Sequence, residues 1–165
     1  MAITRFERNG ARTGMKTLLI VFHTAGVKNA QMAEAVERGA RAEEGVRVVV
    51  KRCAEAGPED VLGADGLILG TPENFGYMSG MMKDFLERVF YACEGKVEGR
   101  PWALFVGTGL DGAGAVSSVE RIVTGLRLKK ISEPIVVVKE LKPKQIAALE
   151  ELGAAMAAGL AAGIL

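Results

Sequence analysis

Three short segments combine glycine with hydroxyl, amide or aromatic side chains, and these are the places where this chain could bind a small ligand. Residues 23–29 read HTAGVKN, residues 71–78 read TPENFGYM, and residues 107–114 read GTGLDGAG; we call them the first, second and third segments. The sequence shows no Ser/His/Asp or Cys/His pattern for nucleophilic catalysis, and no carboxylate pair stands out for acid–base work. We therefore expect no catalytic side chains and expect a bound cofactor to carry the chemistry.

The first segment has the composition of an anion-binding loop. Its candidate residues, Thr24, Gly26, Lys28 and Asn29, stand where an apolar run gives way to a helical pattern. Backbone N–H groups at a helix start, together with hydroxyl and amide side chains, bind phosphate. The alternative is that Thr24 or Asn29 only caps the helix. The segment has no GxxxxGK motif, which argues against a nucleoside-triphosphate loop.

The second segment is stiff and carries an aromatic side chain. Pro72 fixes its own φ and lacks an N–H, and Gly76 permits a close backbone approach or a positive φ. Phe75 would supply a wall for a flat heteroaromatic ligand; the alternative is that its ring tucks under the loop into the core. The candidate ligand-binding residues of this segment are Thr71, Pro72, Glu73, Asn74, Phe75 and Gly76.

The third segment is too rich in glycine for a simple connection. It either lies close against a ligand or forms a mobile turn, and glycine clusters alone do not decide between these readings. Its candidate residues are Thr108, Gly109, Asp111 and Gly112.

The histidine and the cysteines suggest packing rather than chemistry. His23 is the single histidine, so a zinc site is not expected, and we interpret it as a packing or loop hydrogen-bonding residue. Cys53 and Cys93 lie far apart in no recognisable motif, and we expect both to be buried, reduced thiols.

The elements that position these segments alternate between two hydrophobic patterns. Continuous apolar runs predict strands covered on both faces, and apolar residues at helical spacing lie between them. This alternation predicts an α/β fold, a doubly wound five-stranded parallel sheet with helices on both faces. The predicted strands are residues 18–22, 46–50, 66–71, 101–107 and 131–138.

The strand order follows from the two runs that look like edges. The second run alternates with charged residues, and Pro134 interrupts the fifth; proline in a sheet belongs at an edge or a bulge. The order 2-1-3-4-5 satisfies both. It also brings the three segments side by side at the carboxyl ends of the strands, where open parallel sheets bind ligands.

Length and charge restrict the class of protein. The 165 residues suit one domain over residues 16–165, preceded by a flexible N-terminal arm over residues 1–15. A net charge of +1 argues against a nucleic-acid surface. No run approaches the roughly 18 apolar residues of a membrane helix, and we expect a cytoplasmic protein.

Residues 70–90, GTPENFGYMSGMMKDFLERVF, resemble the flavin-facing loop and following helix of the flavodoxin-like superfamily. Within it they are similar to WrbA-type NAD(P)H:quinone oxidoreductases and related FMN reductases, whose pattern is G-[ST]-P-x-x-F-G-x-M-x-G-x-M-K-x-F-L-[DE]-[RQ]. The likeness extends over most of residues 16–140. It implies non-covalent FMN, with the ring against the second and third segments and the phosphate in the first.

The first segment departs from the family's [ST]-x-T-G-x-T loop. Thr24 keeps the first hydroxyl, but Gly26 stands in place of the second Thr, Val27 in place of the Gly, and Asn29 in place of the last Thr. Each lost neutral hydrogen bond weakens phosphate binding by roughly 0.5–1.5 kcal/mol. Either Lys28 compensates by its charge, or the site prefers a ligand other than FMN.

The resemblance implies an oxidoreductase that passes electrons from NAD(P)H through FMN to a quinone-like or other acceptor. Partners would be small-molecule donors and acceptors or a redox protein, with a homo-oligomer left open. One alternative is a flavodoxin-type electron carrier; another is a degenerate binding domain that has lost FMN. The near-neutral charge, and a third segment that lacks the stacking aromatic of electron carriers, favour the reductase.

Overall fold

The apolar runs form one sheet in a computed structural model that describes residues 14–165. The expected arm over residues 1–15 lies almost wholly outside the described residues. In chain order the strands are β1 (Lys16–Phe22), β2 (Val46–Arg52), β3 (Gly66–Asn74), β4 (Tyr77–Met78), β5 (Pro101–Thr108), β6 (Lys129–Lys130) and β7 (Ile135–Val138). The helices are α1 (Lys28–Ala40), α2 (Pro58–Gly63), α3 (Gly80–Cys93), α4 (Ala113–Gly125) and α5 (Pro143–Ala162).

The sheet order confirms the predicted topology. Strands β2, β1, β3 and β5 are neighbours in that order and pair in parallel, while the short β4 pairs antiparallel with β3. Beyond β5, the fifth position is shared, because β6 pairs with the start of β5 and β7 with its end. The prediction of a single strand over residues 131–138 was therefore wrong. Strand pairing is interrupted before Ile135, because Pro134 cannot donate a ladder hydrogen bond.

Each face of the sheet carries its own apolar core. Leu18 and Ile20 of β1 pack with α1 and α5, whereas Leu19 and Val21 pack with α2, α3 and α4. All four are essentially inaccessible to water, and full burial of such a side chain contributes about 1.5–3 kcal/mol. Strand β1 is thus an interior strand of the doubly wound sheet, between β2 and β3 and covered on both faces.

Helices α1 and α5 pack closely through two glycines. A Cβ on Gly39 would lie 1.9 Å from Glu150 O, and a Cβ on Gly153 would lie 2.0 Å from Val36 O. Only glycine allows this approach, so the pair fixes the last turns of α1 against α5. No helix among residues 14–165 is long and apolar enough to span a membrane.

Candidate functional site

The three segments meet at the carboxyl edge of the sheet, after β1, β3 and β5. His23 N donates to Gly70 O at 3.0 Å, which fixes the start of the first segment beside β3. Lys28 Nζ donates to Thr108 O at 2.9 Å and so connects the first segment to the third. The structure brings the three segments to one edge of the sheet, and we call the space between them the crevice.

The second segment is a β-hairpin rather than an open loop. Strand β3 continues beyond Thr71 and pairs with β4, with Glu73 opposite Met78 and Asn74 opposite Tyr77. The two turn residues, Phe75 and Gly76, have φ values of 53° and 66°. Positive φ at both positions is the requirement of a type I′ turn. We call residues 73–78 the hairpin.

Phe75 is fully exposed at the tip of the hairpin, with a relative exposure of 107%. The alternative that its ring tucks into the core is therefore wrong. A bulky residue at positive φ costs about 1–3 kcal/mol, and such residues cluster at ligand sites. No packing contact with the described part of the chain accounts for an aromatic ring here, so the ring is available to a ligand.

Buried hydroxyl groups anchor the base of the hairpin. Thr71 Oγ1 accepts from Ser79 N at 3.0 Å, and Ser118 Oγ accepts from Met78 N at 3.1 Å. Thr71 is completely buried, so its hydroxyl serves the fold and is not presented to the crevice. Sequence reasoning missed Ser79 and Ser118. Ser79 could have been found as the N-cap of α3, where it accepts from Met82 N.

The carboxylate of Glu73 joins the hairpin to the third segment. Its Oε1 accepts from Thr108 Oγ1 at 2.8 Å and from Gly112 N at 3.2 Å, and its Oε2 accepts from Ala115 N at 3.2 Å. Close backbone contact reinforces this link, because a Cβ on Gly114 would lie 1.7 Å from Gly76 O. The hairpin and the start of α4 therefore form one surface.

Glycine in the third segment is required at one position and leaves space at another. Gly112, the N-cap of α4, has φ 77°, and a Cβ there would lie 2.6 Å from Val136 Cγ1. A Cβ on Gly109 would meet nothing within 4 Å, so this backbone is open to a ligand. Asp111 is exposed, and its Oδ1 accepts from Ala113 N at 3.0 Å.

The first segment forms an uncapped helix start. Helix α1 begins at Lys28 after Val27, whose φ is −91°, and no side chain of the described residues caps it. The alternative that Thr24 or Asn29 only caps the helix is therefore wrong; the Thr24 hydroxyl donates to Gly26 O instead. The first N–H groups of such a helix lack intrahelical partners and point to where an anion binds.

The ammonium of Lys28 is occupied by backbone carbonyls. Nζ donates to Thr108 O and Lys139 O, each at 2.9 Å, and to Val137 O at 3.4 Å. Burial lowers the pKa of Lys28 from its ordinary value. Its charge therefore acts from the ends of β5 and β7, behind the third segment, and all three ammonium protons are engaged by the protein.

Two buried nitrogen atoms of the first segment have no partner in the described part of the chain. They are Asn29 Nδ2 and His23 Nδ1, and Asn29 is only 4% exposed. Burial, and then the charge of Arg52, lower the pKa of His23, so its ring is held neutral. Because an unpaired buried donor costs about 1–3 kcal/mol, these atoms mark a place where a ligand would complete the structure.

Large apolar side chains are concentrated at the rim of the crevice, beside the exposed Asp111. Within residues 14–165, nine large hydrophobic side chains are exposed, and five of them surround this edge of the sheet. Such clustering differs from the scattered exposed apolar residues of an ordinary surface. The five are Val27, Phe75, Tyr77, Leu110 and Val138.

The cysteines take no part in the site. Cys53 and Cys93 are free and buried, as expected. Burial raises the pKa of Cys53 to about 12, so its thiol stays protonated and unreactive at neutral pH.

Comparison with known proteins identifies relatives of this chain. The model of a family described as NADPH-dependent FMN reductase matches residues 50–142. A flavodoxin of Aquifex aeolicus is 38% identical over 112 residues, which cover 68% of this chain and 60% of that protein. An NAD(P)H dehydrogenase (quinone) of Acidithiobacillus ferrooxidans is 32% identical over 133 residues, which cover 68% of this chain and 66% of that protein. The chain thus spans under two-thirds of the length of these curated relatives.

Solved structures share the fold. A flavodoxin from the domain Archaea superposes with a TM-score of 0.75 at 17% identity, covering 87% of this chain and 98% of that one. A flavodoxin, WrbA-like protein from Agrobacterium tumefaciens superposes with a TM-score of 0.71 at 18% identity, covering 88% and 97%. At such low identities, these superpositions show that the fold is flavodoxin-like and show nothing about function. Since the family match spans more than half of the chain, the protein belongs to the flavodoxin-like NADPH-dependent FMN reductase family.

Proposed function

We propose that this protein is an FMN-dependent oxidoreductase that takes electrons from NAD(P)H and passes them to a quinone-like acceptor. One observation carries the proposal: a type I′ hairpin holds Phe75 fully exposed at positive φ, against the third segment. The fold has no packing use for this strained aromatic, whereas a flat ligand at the crevice does. The relative named NAD(P)H dehydrogenase (quinone) supports the choice of donor and acceptor.

The residues of the first segment fit the phosphate of FMN. The unpartnered Nδ2 of Asn29 and the uncapped N–H groups of α1 are donors, and a Cβ on Gly26 would meet nothing within 4 Å. Thr24, Gly26 and Asn29 would hold the phosphate, mainly through N–H groups. This arrangement offsets the missing threonines, and Lys28 adds positive charge from behind the third segment.

The hairpin and the third segment fit the ring of FMN. Backbone groups of residues 72–76 and 108–112 would border it, and FMN supplies the hydride and electron transfer when bound. The chain's own part is to bind, orient and exclude water. Water would be excluded by an apolar wall formed by Phe75, Leu110 and Val27. No side chain needs to move a proton in this scheme.

The apolar rim favours a small, flat acceptor over a charged protein. Electron-transfer partners that dock as proteins rely on complementary charge, whereas five large hydrophobic side chains are exposed at this rim. A one-electron carrier is the second candidate, supported by the relative named flavodoxin from Aquifex aeolicus. A domain that has lost FMN is the third, because Gly26 and Val27 replace residues of the family's phosphate loop.

Flavin titration followed by rapid kinetics tests the proposal. We expect the purified full chain to quench FMN fluorescence, NADPH to bleach the bound flavin, and a quinone to restore its colour. Bound flavin that NADPH does not bleach, with a stabilised semiquinone in reductive titration, would support the carrier. A protein that stays colourless, with neither quenching nor a thermal shift on adding FMN, would rule out both redox functions.

A further inference from the structure

We propose that Glu73 is a positioning residue that couples the hairpin to the third segment, so that the ring site forms as a single unit. The proposal rests on the proposed function, since it concerns the site for the ring. It assigns the side chain of Glu73 a role distinct from contact with the ligand.

All three donors to the Glu73 carboxylate belong to the other side of the ring site. They are the Thr108 hydroxyl at 2.8 Å and the backbone N–H groups of Gly112 and Ala115 at 3.2 Å. Both carboxylate oxygens are used, and a group held at both oxygens is fixed in orientation as well as in place. The carboxylate therefore faces the start of α4.

The position of the carboxylate suits its charge. Gly112 is the N-cap of α4, and Ala115 lies in its first turn. The N-terminus of a helix carries a partial positive charge, so a carboxylate there is stabilised while it satisfies otherwise unpaired N–H groups. Asp111 accepts from the N–H of Ala113, and Glu73 supplies from the hairpin the acceptors for the N–H groups of Gly112 and Ala115.

Within residues 14–165, few polar contacts besides this carboxylate join the hairpin to α4. One of them is Met78 N donating to Ser118 Oγ at 3.1 Å, one turn further along the helix. The close approach of Gly114 to Gly76 O is a packing contact that requires the two segments to stay in register. Glu73 is therefore the contact that sets the distance between the two borders of the ring site.

The first test is Glu73→Gln. Its amide oxygen still accepts from Thr108 and Gly112, but its NH2 group would face the N–H of Ala115, where two donors repel. We expect the dissociation constants of FMN and riboflavin to rise by the same factor, about tenfold, because the ring site opens and the phosphate site does not. Glu120→Gln is the matched control: it removes a carboxylate from α4 that pairs with Lys130 at 2.8 Å, and both affinities should stay unchanged.

The second measurement uses ligand-free protein and so is independent of flavin. In Glu73→Gln, backbone hydrogen exchange should accelerate at Gly112 and Ala115 and also at Tyr77 and Met78, whereas Glu120→Gln leaves all four unchanged. If exchange accelerates only at Gly112 and Ala115, Glu73 acts simply as a cap of α4, and the proposed coupling is overturned. If the wild-type chain binds no flavin, the proposed function fails, while this exchange result still decides the coupling.

Two outcomes would overturn the proposal directly. One is a loss of stability in Glu73→Gln with unchanged riboflavin affinity, which is what a purely structural residue predicts. The other is weaker binding of FMN but not of riboflavin. Should Glu73→Gln fail to fold, Thr108→Val carries the same test: it keeps the charge of Glu73 and removes one donor to it, together with the acceptor of Leu110 N, so hydrogen exchange at Tyr77 and Met78 is measured beside the affinities. It should weaken both ligands by about threefold, and unchanged riboflavin affinity would again overturn the coupling.

Discussion

The hairpin and the first segment lie at the same edge of the sheet, yet the hairpin pairs its key polar groups and the first segment leaves two buried nitrogen atoms unpaired. In the hairpin, Glu73 uses both carboxylate oxygens and Met78 N is paired with Ser118. In the first segment, Asn29 Nδ2 and His23 Nδ1 have no partner in the described chain, and α1 begins uncapped.

The difference indicates how the two ends of a ligand would be recognised. The hairpin is already ordered before a ligand binds, so binding a ring against it costs the protein little conformational entropy. The first segment keeps unsatisfied donors, and an anion that pairs with them recovers about 1–3 kcal/mol per buried group. One end of the site is preorganised, and the other is completed by what binds.

Of the substitutions that test the contrast between the hairpin and the first segment, Gly114→Ala should have the largest effect. The new Cβ would lie 1.7 Å from Gly76 O, so the hairpin must shift. We expect a loss of about 2 kcal/mol in the free energy of unfolding, from denaturant titration, together with weaker riboflavin binding. Gly26→Ala is the matched change in the first segment, where a Cβ meets nothing, and it should leave the stability of the ligand-free protein nearly unchanged. Equal losses in both variants would contradict a preformed hairpin beside an open first segment.

Asn29→Ala should separate the two ends of the ligand. Loss of the Asn29 donor should weaken the binding of FMN about tenfold and leave the affinity for riboflavin unchanged, as measured by fluorescence quenching. The ligand-free protein should change by less than about 1 kcal/mol, because removing an unpaired amide offsets the cavity that is left. A parallel loss for both flavins would mean that Asn29 acts through packing against Gly107 instead.

Phe75→Asn should stabilise the hairpin at the expense of function. Asn-Gly is the preferred type I′ turn, so relief of the positive φ should add about 1 kcal/mol to the free energy of unfolding. Flavin and acceptor binding should weaken because the apolar wall is lost. Arg127→Asn is the control: Arg127 also has φ 53°, but it precedes β6 at the amino edge of the sheet. The Arg127→Asn variant should gain stability with no change in binding. If neither variant gains stability, the positive φ of Phe75 does not strain the hairpin.

The smallest effect concerns the pH dependence of the first segment. The folded pKa of His23 lies below its ordinary value of 6.5, so the unfolded chain binds the proton more readily. Stability should therefore fall as the pH drops below 6.5, and it should be fully present above it. His23→Gln should flatten a melting-temperature series between about pH 6.5 and pH 5. A slope unchanged by the substitution would assign the effect to other groups.

Much of the fold could be predicted from the sequence because its signals are local. Continuous apolar runs identify buried strands, and Pro134 with the charged second run identifies the edges. The position of the crevice follows from strand order alone. The break between β6 and β7 was missed, although Pro134 marks it.

The details of the site could not be predicted because they depend on long-range contacts or on weak signals. The hairpin lacks its usual indication, since Phe-Gly stands where Asn-Gly normally marks a type I′ turn, and β4 has only two residues. The carbonyls that hold Lys28 come from residues 80 to 111 positions away. The unpaired state of Asn29 Nδ2 is a property of its surroundings and leaves no trace in the sequence.

The division of the last strand has a consequence for association between molecules. A long, flat edge strand offers unpaired N–H and C=O groups to another chain and promotes aggregation. Here that edge consists of two lysines, Lys129 and Lys130, and then four residues after a proline-containing gap. The opposite edge, β2, carries Arg47, Lys51 and Arg52. Positive charge at both margins and short strands at one of them therefore discourage the addition of a foreign strand.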